Sequence, residues 1–286
     1  MASDTFFRSI QLGTVTLRVR DLDRSLAFYE DLLEFRTIEA HDGLVTLAAA
    51  SGAPPLLALE SSPNAPPRQP GASGLFHVAL LYPDRGSLGR MLSRLMRSDV
   101  RFGSADHGVS EALYLTDPEG NGLELYADRP VDRWPDADAD GQVTMFTEAL
   151  DIQGLAAEGR ETSGPLMPAE LRVGHVHLSV SSLDHAEAFY AHRLGFAVRQ
   201  RSYPGALFLA RDGYHHHLGA NTWRSRSAAT PGSLGLVRFG LHVASDRDLA
   251  QMIAAAGDRA IGPGPDGGTI VRDFDGIEIE LLGAAT

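Results

Sequence analysis

An internal repeat is the feature that most constrains how this chain can fold. The segment 13–19, Gly-Thr-Val-Thr-Leu-Arg-Val, matches the segment 174–180, Gly-His-Val-His-Leu-Ser-Val, at an offset of 161 residues. The same offset relates the triplet Ala-Phe-Tyr at 27–29 to the triplet Ala-Phe-Tyr at 188–190. Chance does not produce so long an ungapped match, and we therefore interpret the chain as a tandem duplication.

Each copy contains the same succession of elements twice. In the first copy, an alternating strand at 13–20 precedes a short amphipathic helix and further strands, and the succession restarts near residue 75. The period of two turns one face of such a strand toward a core. The pattern predicts four strand–helix–strands units, with an N-terminal domain at 9–128 and a C-terminal domain at 171–284. The segment 129–170 between them is rich in proline, aspartate and glycine, and we interpret it as a linker.

Composition excludes several classes of protein. The chain of 286 residues has a net charge of −12, whereas a general nucleic-acid or anionic-membrane binder needs a basic surface. It has no cysteine, so any metal must take nitrogen and oxygen ligands. We expect neither a signal peptide nor a membrane span, because no apolar run approaches about 20 residues, and the expected location is the cytoplasm.

Three residues are candidate metal ligands. His77 and Glu124 lie in the middle of predicted strands, and His175 lies in the first strand of the second copy. A charged glutamate between leucines on a core strand is costly unless it is paired or binds a metal. Two histidines and one carboxylate form the facial arrangement that holds ferrous iron and leaves positions open. Each histidine alone could be a core residue and Glu124 alone an ion-pair partner, so the prediction rests on all three together.

The repeat indicates that this site draws on both copies. The offset of 161 residues places Arg238 at the position of His77 and Thr14 at the position of His175. Neither copy therefore owns a complete triad. We take Glu278 as the counterpart of Glu124 across a short deletion. The complementary set of Thr14, Arg238 and Glu278 would bind a divalent metal poorly. The sequence therefore predicts one working site and one decayed site.

Two longer segments carry a resemblance to a known family. They are Asp106–Pro130, which contains Leu-Tyr-Leu-Thr-Asp-Pro-Glu-Gly-Asn-Gly-Leu-Glu-Leu-Tyr, and Gly213–Trp223, which contains Tyr-His-His-His-Leu-Gly-Ala-Asn. With the repeat, they make the chain resemble the vicinal oxygen chelate superfamily (glyoxalase, bleomycin resistance protein and extradiol dioxygenase). More narrowly, it resembles bacterial two-domain catechol 2,3-dioxygenases. The resemblance implies an α+β fold of four βαβββ units, paired in tandem into two open-barrel domains.

The resemblance also implies roles for individual residues. In extradiol enzymes a tyrosine lies ten residues before the metal-binding glutamate, as Tyr114 lies before Glu124, and a histidine slightly upstream contacts the substrate, which indicates His107. The acid/base histidine lies in the same unit as the first metal ligand, and the run His215–His217 is in that unit. We favour His216, since on a strand its neighbours would point the other way. Many extradiol enzymes take the whole triad from the C-terminal half, which Arg238 prevents here.

Three further residues are expected to contact the substrate: His217, Trp223 and His177. His177 points the same way as His175 and could replace it as a metal ligand. The implied cofactor is Fe(II), with Mn(II) as the alternative, and the implied partners are a small aromatic diol and O2. The oligomeric state is left open, with a homo-oligomer as one option. The histidine would move a proton while the metal binds the diol, and the ring would break beside its hydroxyls.

Two other functions are compatible with these residues. A glyoxalase-like lyase, isomerase or thiol transferase would keep the triad without needing Tyr114, His107 and the histidine run together. A metal-free ligand-binding protein of the same fold would not need an ionised Glu124 on a core strand. The leading prediction is an extradiol ring-cleaving dioxygenase acting on catechol or a substituted catechol.

Overall fold

The computed structural model describes residues 6–284, which form four successive units. The first unit contains strand β1, the short helix α1 and strands β2, β3 and β4. Helix α1 continues directly as a π-helix, Ala27–Leu32. The bounds of these elements are β1 Ile10–Val19, α1 Leu22–Leu26, β2 Arg36–His41, β3 Leu44–Ala48 and β4 Pro55–Ser61.

The second unit repeats this order with a longer helix. Its elements are β5 Gly74–Tyr82, α2 Arg85–Leu95, β6 Gly103–Asp106, β7 Ser110–Thr116 and β8 Gly122–Asp128. Helix α3, Ile152–Glu161, then lies within the segment predicted to be the linker.

The third and fourth units complete the chain. The third contains β9 Arg172–Ser179, α4 Leu183–Ala186 with its π-helical continuation Glu187–Arg193, β10 Ala197–Gln200, β11 Ala206–Ala210 and β12 Leu218–Asn221. The fourth contains β13 Gly235–Val243, α5 Asp246–Ala256, β14 Ala260–Pro263, β15 Thr269–Arg272 and β16 Glu278–Leu282. Each α-helix is preceded by a residue whose side chain accepts a backbone N–H of the first turn; for α1 to α5 these residues are Asp21, Asp84, Asp151, Ser182 and Ser245.

The sixteen strands form two curled sheets of eight strands each. One has the order β14-β15-β16-β13-β1-β4-β3-β2 and the other the order β10-β11-β12-β9-β5-β8-β7-β6. At the centre of each sheet the first strands of two units pair in antiparallel fashion, β1 with β13 and β5 with β9. The predicted α+β fold of four βαβββ units in two open half-barrels is confirmed.

The two sheets do not divide the chain at its midpoint. The first unit shares a sheet with the fourth, and the second shares a sheet with the third. The ranges 9–128 and 171–284 therefore describe the copies of the duplication, whereas each sheet combines one unit from each copy. The sequence repeat could not reveal this, because it identifies equivalent units but not the units that pair in space.

The segment 129–170 does more than join the copies. Glycines at 89 and 159 let α2 and α3 touch, since a Cβ on Gly159 would lie 2.2 Å from the carbonyl carbon of Gly89. Upstream of α3, the backbone at Glu148 pairs with that of Asp106 at the edge of β6. This fixes residues 145–147 beside the second sheet. None of the helices within residues 6–284 is long and apolar enough to cross a membrane.

Two equivalent buried hydrogen bonds connect the sheets. The hydroxyl of Tyr29 donates to Asp117 at 2.9 Å, and the hydroxyl of Tyr190 donates to Asp273 at 2.9 Å. Each tyrosine follows the first strand of its copy, and each aspartate lies in the turn before the last strand of that copy. Because these carboxylates are buried, each depends on its donors for compensation.

We predict that Tyr29→Phe lowers the free energy of unfolding by about 1–3 kcal/mol, because it leaves a buried carboxylate one donor short. Urea unfolding followed by circular dichroism measures the change. The control is Tyr203→Phe, which removes a hydroxyl that hydrogen-bonds Thr147 at an exposed position. Equal effects of the two substitutions would contradict the assignment.

Candidate metal centre

The register of the second sheet brings three candidate ligands to one place. Ala79 on β5 lies opposite Glu124 on β8 and opposite His175 on β9. His77 precedes Ala79 by two residues and therefore faces the same side of the sheet. Tyr114 on β7 continues the row, because it lies opposite Glu124. A single row of cross-strand neighbours thus places side chains from both copies side by side.

The three ligand atoms converge closely. The Nε2 atom of His77 is 2.9 Å from Oε2 of Glu124, and Nε2 of His175 is 3.2 Å from the same oxygen. The two nitrogens are 3.3 Å apart, and all three residues are buried. Two atoms that each bind a metal at about 2.1 Å, at right angles, lie about 3.0 Å apart. The donor set and its spacing therefore fit a divalent ion held on one face.

Electrostatics also suit a cation. Burial alone would raise the pKa of the Glu124 carboxyl, but the imidazoles of His175 and His77 hold it well below its ordinary value. Burial lowers the pKa of His175 to about 4, despite the opposing effect of Glu124. Around neutral pH this favours an ionised carboxylate beside a neutral imidazole, which is the state that metal binding requires.

Tyr114 and His107 form a hydrogen-bonded pair beside the triad. Nε2 of His107 lies 2.6 Å from the Tyr114 hydroxyl, and Nδ1 of His107 lies 2.7 Å from the carbonyl oxygen of Phe146. A carbonyl only accepts, so Nδ1 carries a proton that it donates to Phe146. Burial first, and then the charge of Glu124, raise the pKa of Tyr114 well above its ordinary value. The pair therefore presents a neutral phenol within the cavity, and residue 146 of the linker orients it.

The histidine run lies in a turn just before β12, not on a strand as predicted. The alternation nevertheless holds, because His216 lines the cavity whereas His215 and His217 do not. The ring centroid of His216 is 4.1 Å from that of His175, which places it beside the triad. Burial, together with His175 and His215, keeps the pKa of His216 well below its ordinary value. Its imidazole is therefore neutral and can accept a proton.

The predicted substrate contacts divide into two groups. Trp223 and His177 both line the cavity, and they face each other with ring centroids 5.7 Å apart. His217 is placed elsewhere, which corrects its predicted contact with the substrate. Its Nε2 lies 3.0 Å from the carbonyl oxygen of Phe6, and its Nδ1 accepts the backbone N–H of Arg211. His217 thus links the N-terminal segment at Phe6 to the turn before β12 by hydrogen bonds.

One cavity of about 600 Å³ lies beside the triad. His77 and Glu124 lie on its lining, with His216 toward one side and Tyr114 with His107 toward the other. Four aromatic side chains form part of its remaining wall: Phe76, Tyr203, Phe208 and Trp223. Residues 145–147 of the linker also line it. A flat ring can lie between these aromatic faces with polar groups directed at the triad.

The other sheet contains the decayed counterpart, with one change to the prediction. An offset of 156 residues relates Asp117 to Asp273, which make equivalent bonds, and it relates Glu124 to Glu280. The register agrees, because Gly240 lies opposite Glu280 as Ala79 lies opposite Glu124. The counterpart is therefore Glu280 and not Glu278, because the deletion lies before the turn.

Beside Glu280 the positive charge comes from the protein itself, from the guanidinium of Arg238. Nε of Arg238, at the position of His77, lies 3.4 Å from Oε2 of Glu280. The other carboxylate oxygen of Glu280 accepts the backbone N–H groups of Asp266 and Gly268 at 2.9 and 3.0 Å. A guanidinium thus compensates the buried carboxylate where the first site has two imidazoles.

Comparisons with known proteins agree with this architecture. The family model of the Glyoxalase/Bleomycin resistance protein/Dioxygenase superfamily matches residues 11–125 and 172–281, once in each copy. The chain is 44% identical over 222 residues to a catechol-2,3-dioxygenase of Bacillus subtilis (strain 168), covering 76% of each protein. It is also 36% identical over 74 residues to biphenyl-2,3-diol 1,2-dioxygenase 2 of Rhodococcus globerulus, covering 25% of this chain and 39% of that protein.

Solved structures show the same fold at low sequence identity. A protein of Bacillus subtilis subsp. subtilis str. 168 superimposes with a TM-score of 0.67 at 12% identity, covering 98% of this chain and 86% of that one. Glyoxalase I of Zea mays superimposes with a TM-score of 0.56 at 15% identity, covering 96% and 92% of the two chains. These likenesses concern the fold alone.

We predict that Glu124→Gln lowers the affinity for Fe(II) or Mn(II) by more than about 100-fold. Replacing a residue that merely orients a ligand already costs about 10- to 100-fold, and this change removes the anionic ligand itself. Metal content after dialysis and the metal-induced rise in Tm measure the loss. The matched control is Glu280→Gln, at the equivalent position of the other sheet, which should retain the metal. Equal metal content in the two variants would contradict the assignment.

Proposed function

Because the chain belongs to the glyoxalase/bleomycin resistance protein/dioxygenase superfamily, we propose that it is an extradiol ring-cleaving dioxygenase. The proposed substrates are catechol or a substituted catechol and O2, and the proposed metal is Fe(II). The relationship to the Bacillus subtilis catechol-2,3-dioxygenase supports dioxygenase chemistry. The observation that carries the proposal is the convergence of His77, Glu124 and His175 beside a cavity that is also lined by a proton acceptor, His216, and a phenol, Tyr114.

The triad would hold the metal, with His77 and Glu124 from one copy and His175 from the other. Fe(II) bound there would supply positive charge that lowers the pKa of the diol hydroxyls and would leave open positions for the diol and O2. Glu124 is the anionic member, so the site would retain a net positive charge with the ion bound. This charge favours a deprotonated diol over the neutral one.

Two groups of side chains, at opposite ends of the row of cross-strand neighbours, would transfer a proton and orient the substrate. His216, beside His175, would accept a proton from a diol hydroxyl, since a neutral imidazole suits proton transfer near neutral pH. Tyr114 and His107, beside Glu124, would hydrogen-bond the organic oxygens. A diol held between them has its two oxygens directed at the triad and its ring among the aromatic side chains. The ring would then break beside its hydroxyls, with both oxygen atoms incorporated into the product.

These accessory groups favour the dioxygenase over the other candidate functions. A lyase, isomerase or thiol transferase of the same superfamily needs the triad, but it does not require an acceptor and a phenol on opposite sides of it. A metal-free binding protein gains nothing from a carboxylate ionised beneath the cavity, because burying that charge is costly.

Anaerobic loading with Fe(II), followed by catechol and air, tests the proposed reaction. We expect a yellow ring-cleavage product and consumption of oxygen, recorded by absorbance and an oxygen electrode. A chain that binds iron fully but leaves catechol intact would refute the dioxygenase and favour a non-oxidative reaction of the superfamily. A chain that binds no metal would favour a ligand-binding protein.

We predict that His216→Asn lowers kcat by about 10²- to 10⁴-fold, the range that general acid–base groups contribute. The iron content should not change, because this residue is not a ligand. Steady-state kinetics with catechol provide the measurement. His217→Asn is the control, since His217 lies outside the cavity and should affect kcat little. If His216→Asn retains full kcat, His216 is not the proton acceptor.

A further inference from the structure

A line of three side chains, the partly buried Asp128 and the buried His215 and His216, leads from behind the cavity to its wall. Nε2 of His215 lies 2.9 Å from Oδ1 of Asp128, and Nδ1 of His215 lies 2.8 Å from Nδ1 of His216. His215 is fully buried, whereas His216 lines the cavity. The proposed function uses only the last of these residues, so the role of the other two is open.

The chemistry of the acceptor determines where each proton lies. A carboxylate only accepts, so Nε2 of His215 carries a proton that it donates to Asp128. In a neutral His215 the other nitrogen, Nδ1, then holds a lone pair. The short contact between the two Nδ1 atoms needs one proton, which must therefore come from His216. This leaves Nε2 of His216 without a proton, and that atom has no hydrogen-bond partner within residues 6–284.

We propose that Asp128, acting through His215, is a positioning residue that holds His216 in the tautomer whose Nε2 lone pair is directed into the cavity. The inference rests on the proposed function, because it states how the proton acceptor of that reaction is prepared. Without the carboxylate, His215 could place its proton on Nδ1 and donate to His216. Nε2 of His216 would then carry the proton, and His216 could not accept one there.

The surroundings hold the carboxylate in place. The hydroxyl of Tyr214 lies 3.0 and 3.1 Å from the two oxygens of Asp128, and it also contacts the hydroxyl of Tyr126 at 2.7 Å. The ring of His215 packs against Tyr214 with centroids 3.9 Å apart, and against Trp134 with centroids 5.6 Å apart. These contacts exclude water that would compete for the imidazole nitrogens. Asp128 is also the last residue of β8, the strand that carries Glu124.

The proton balance of the step is simple. The O–H bond of one diol hydroxyl breaks, and an N–H bond forms at Nε2 of His216. The positive charge on His216 is then stabilised by the hydrogen bond to His215 and, beyond it, by the negative charge of Asp128. Asp128 remains ionised throughout, as does the carboxylate that orients the histidine of a serine protease. The proton returns from Nε2 when the product oxygen leaves.

A purely structural role for Asp128 makes a different prediction. In that case the carboxylate would only anchor the turn. Loss of its hydrogen bond from Tyr214 should then have a similar effect to loss of its charge. Tyr214→Phe removes the hydroxyl donor but leaves the contact between Asp128 and His215. It is therefore a matched control for Asp128→Asn, which keeps the shape of the side chain but removes its charge.

The test measures the tautomer directly by ¹⁵N NMR of histidine-labelled full-length protein, with and without Zn(II), a diamagnetic ion. His216→Gln identifies the signals of His216. We expect Nδ1 of His216 to carry the proton in the wild-type chain and in Tyr214→Phe, and the proton to shift wholly or partly to Nε2 in Asp128→Asn. An Nε2-protonated His216 in the wild type, or an unchanged tautomer in Asp128→Asn, would overturn the inference.

Kinetics provide the second measurement. Asp128→Asn should lower kcat by about 10- to 100-fold, the usual cost of changing a residue that orients a functional group, with KM and iron content nearly unchanged. Tyr214→Phe should have a much smaller effect on kcat, and equal losses in the two variants would also overturn the inference. If the wild-type chain cleaves no catechol, the proposed function fails, whereas the NMR result still decides the tautomer.

Discussion

The antiparallel pairing of β5 with β9 is the interaction on which the proposed site depends. It joins a strand of the first copy to a strand of the second, with Ala79 opposite His175. Since β8 lies on the other side of β5, the same row also contains Glu124. No ligand is carried by a loop, so the geometry of the triad is as rigid as the sheet itself. A shift of one residue in this register would turn His175 to the opposite face.

The cost of burying a carboxylate explains the difference between the two sheets. Both sheets retain a glutamate at equivalent positions, Glu124 and Glu280, and both bury it. Such a charge must be compensated. In one sheet Arg238 and two backbone N–H groups provide the compensation. In the other sheet two imidazoles surround the oxygen, and they can share it with a divalent ion. Arg238 in place of one histidine and Thr14 in place of the other thus distinguish this sheet from the sheet with the candidate metal site.

Much of this arrangement could be predicted from the sequence, because the residues concerned lie in regular elements. The repeat predicted that His77, Glu124 and His175 come together from both copies, and their side chains do converge. Periodicity alone gives no sign of strand β2, because all its residues are exposed and show no alternation. The sequence also could not show which units pair. In the duplication β1 is equivalent to β9 and β13 to β5, so the repeat alone does not distinguish one pairing from another. His217 was predicted to contact the substrate, whereas its ring nitrogens bond the carbonyl oxygen of the remote Phe6 and the backbone N–H of the nearby Arg211.

The nested pairing of the units has a consequence for synthesis on the ribosome. The second and third units are neighbours in the chain, whereas the first must wait for the fourth before its sheet is complete. The inner sheet can therefore close while the last part of the chain is still being made, and the outer sheet closes around it later. His77 and Glu124 emerge long before His175. A nascent chain thus acquires its full set of candidate metal ligands only after the linker and β9 have been translated.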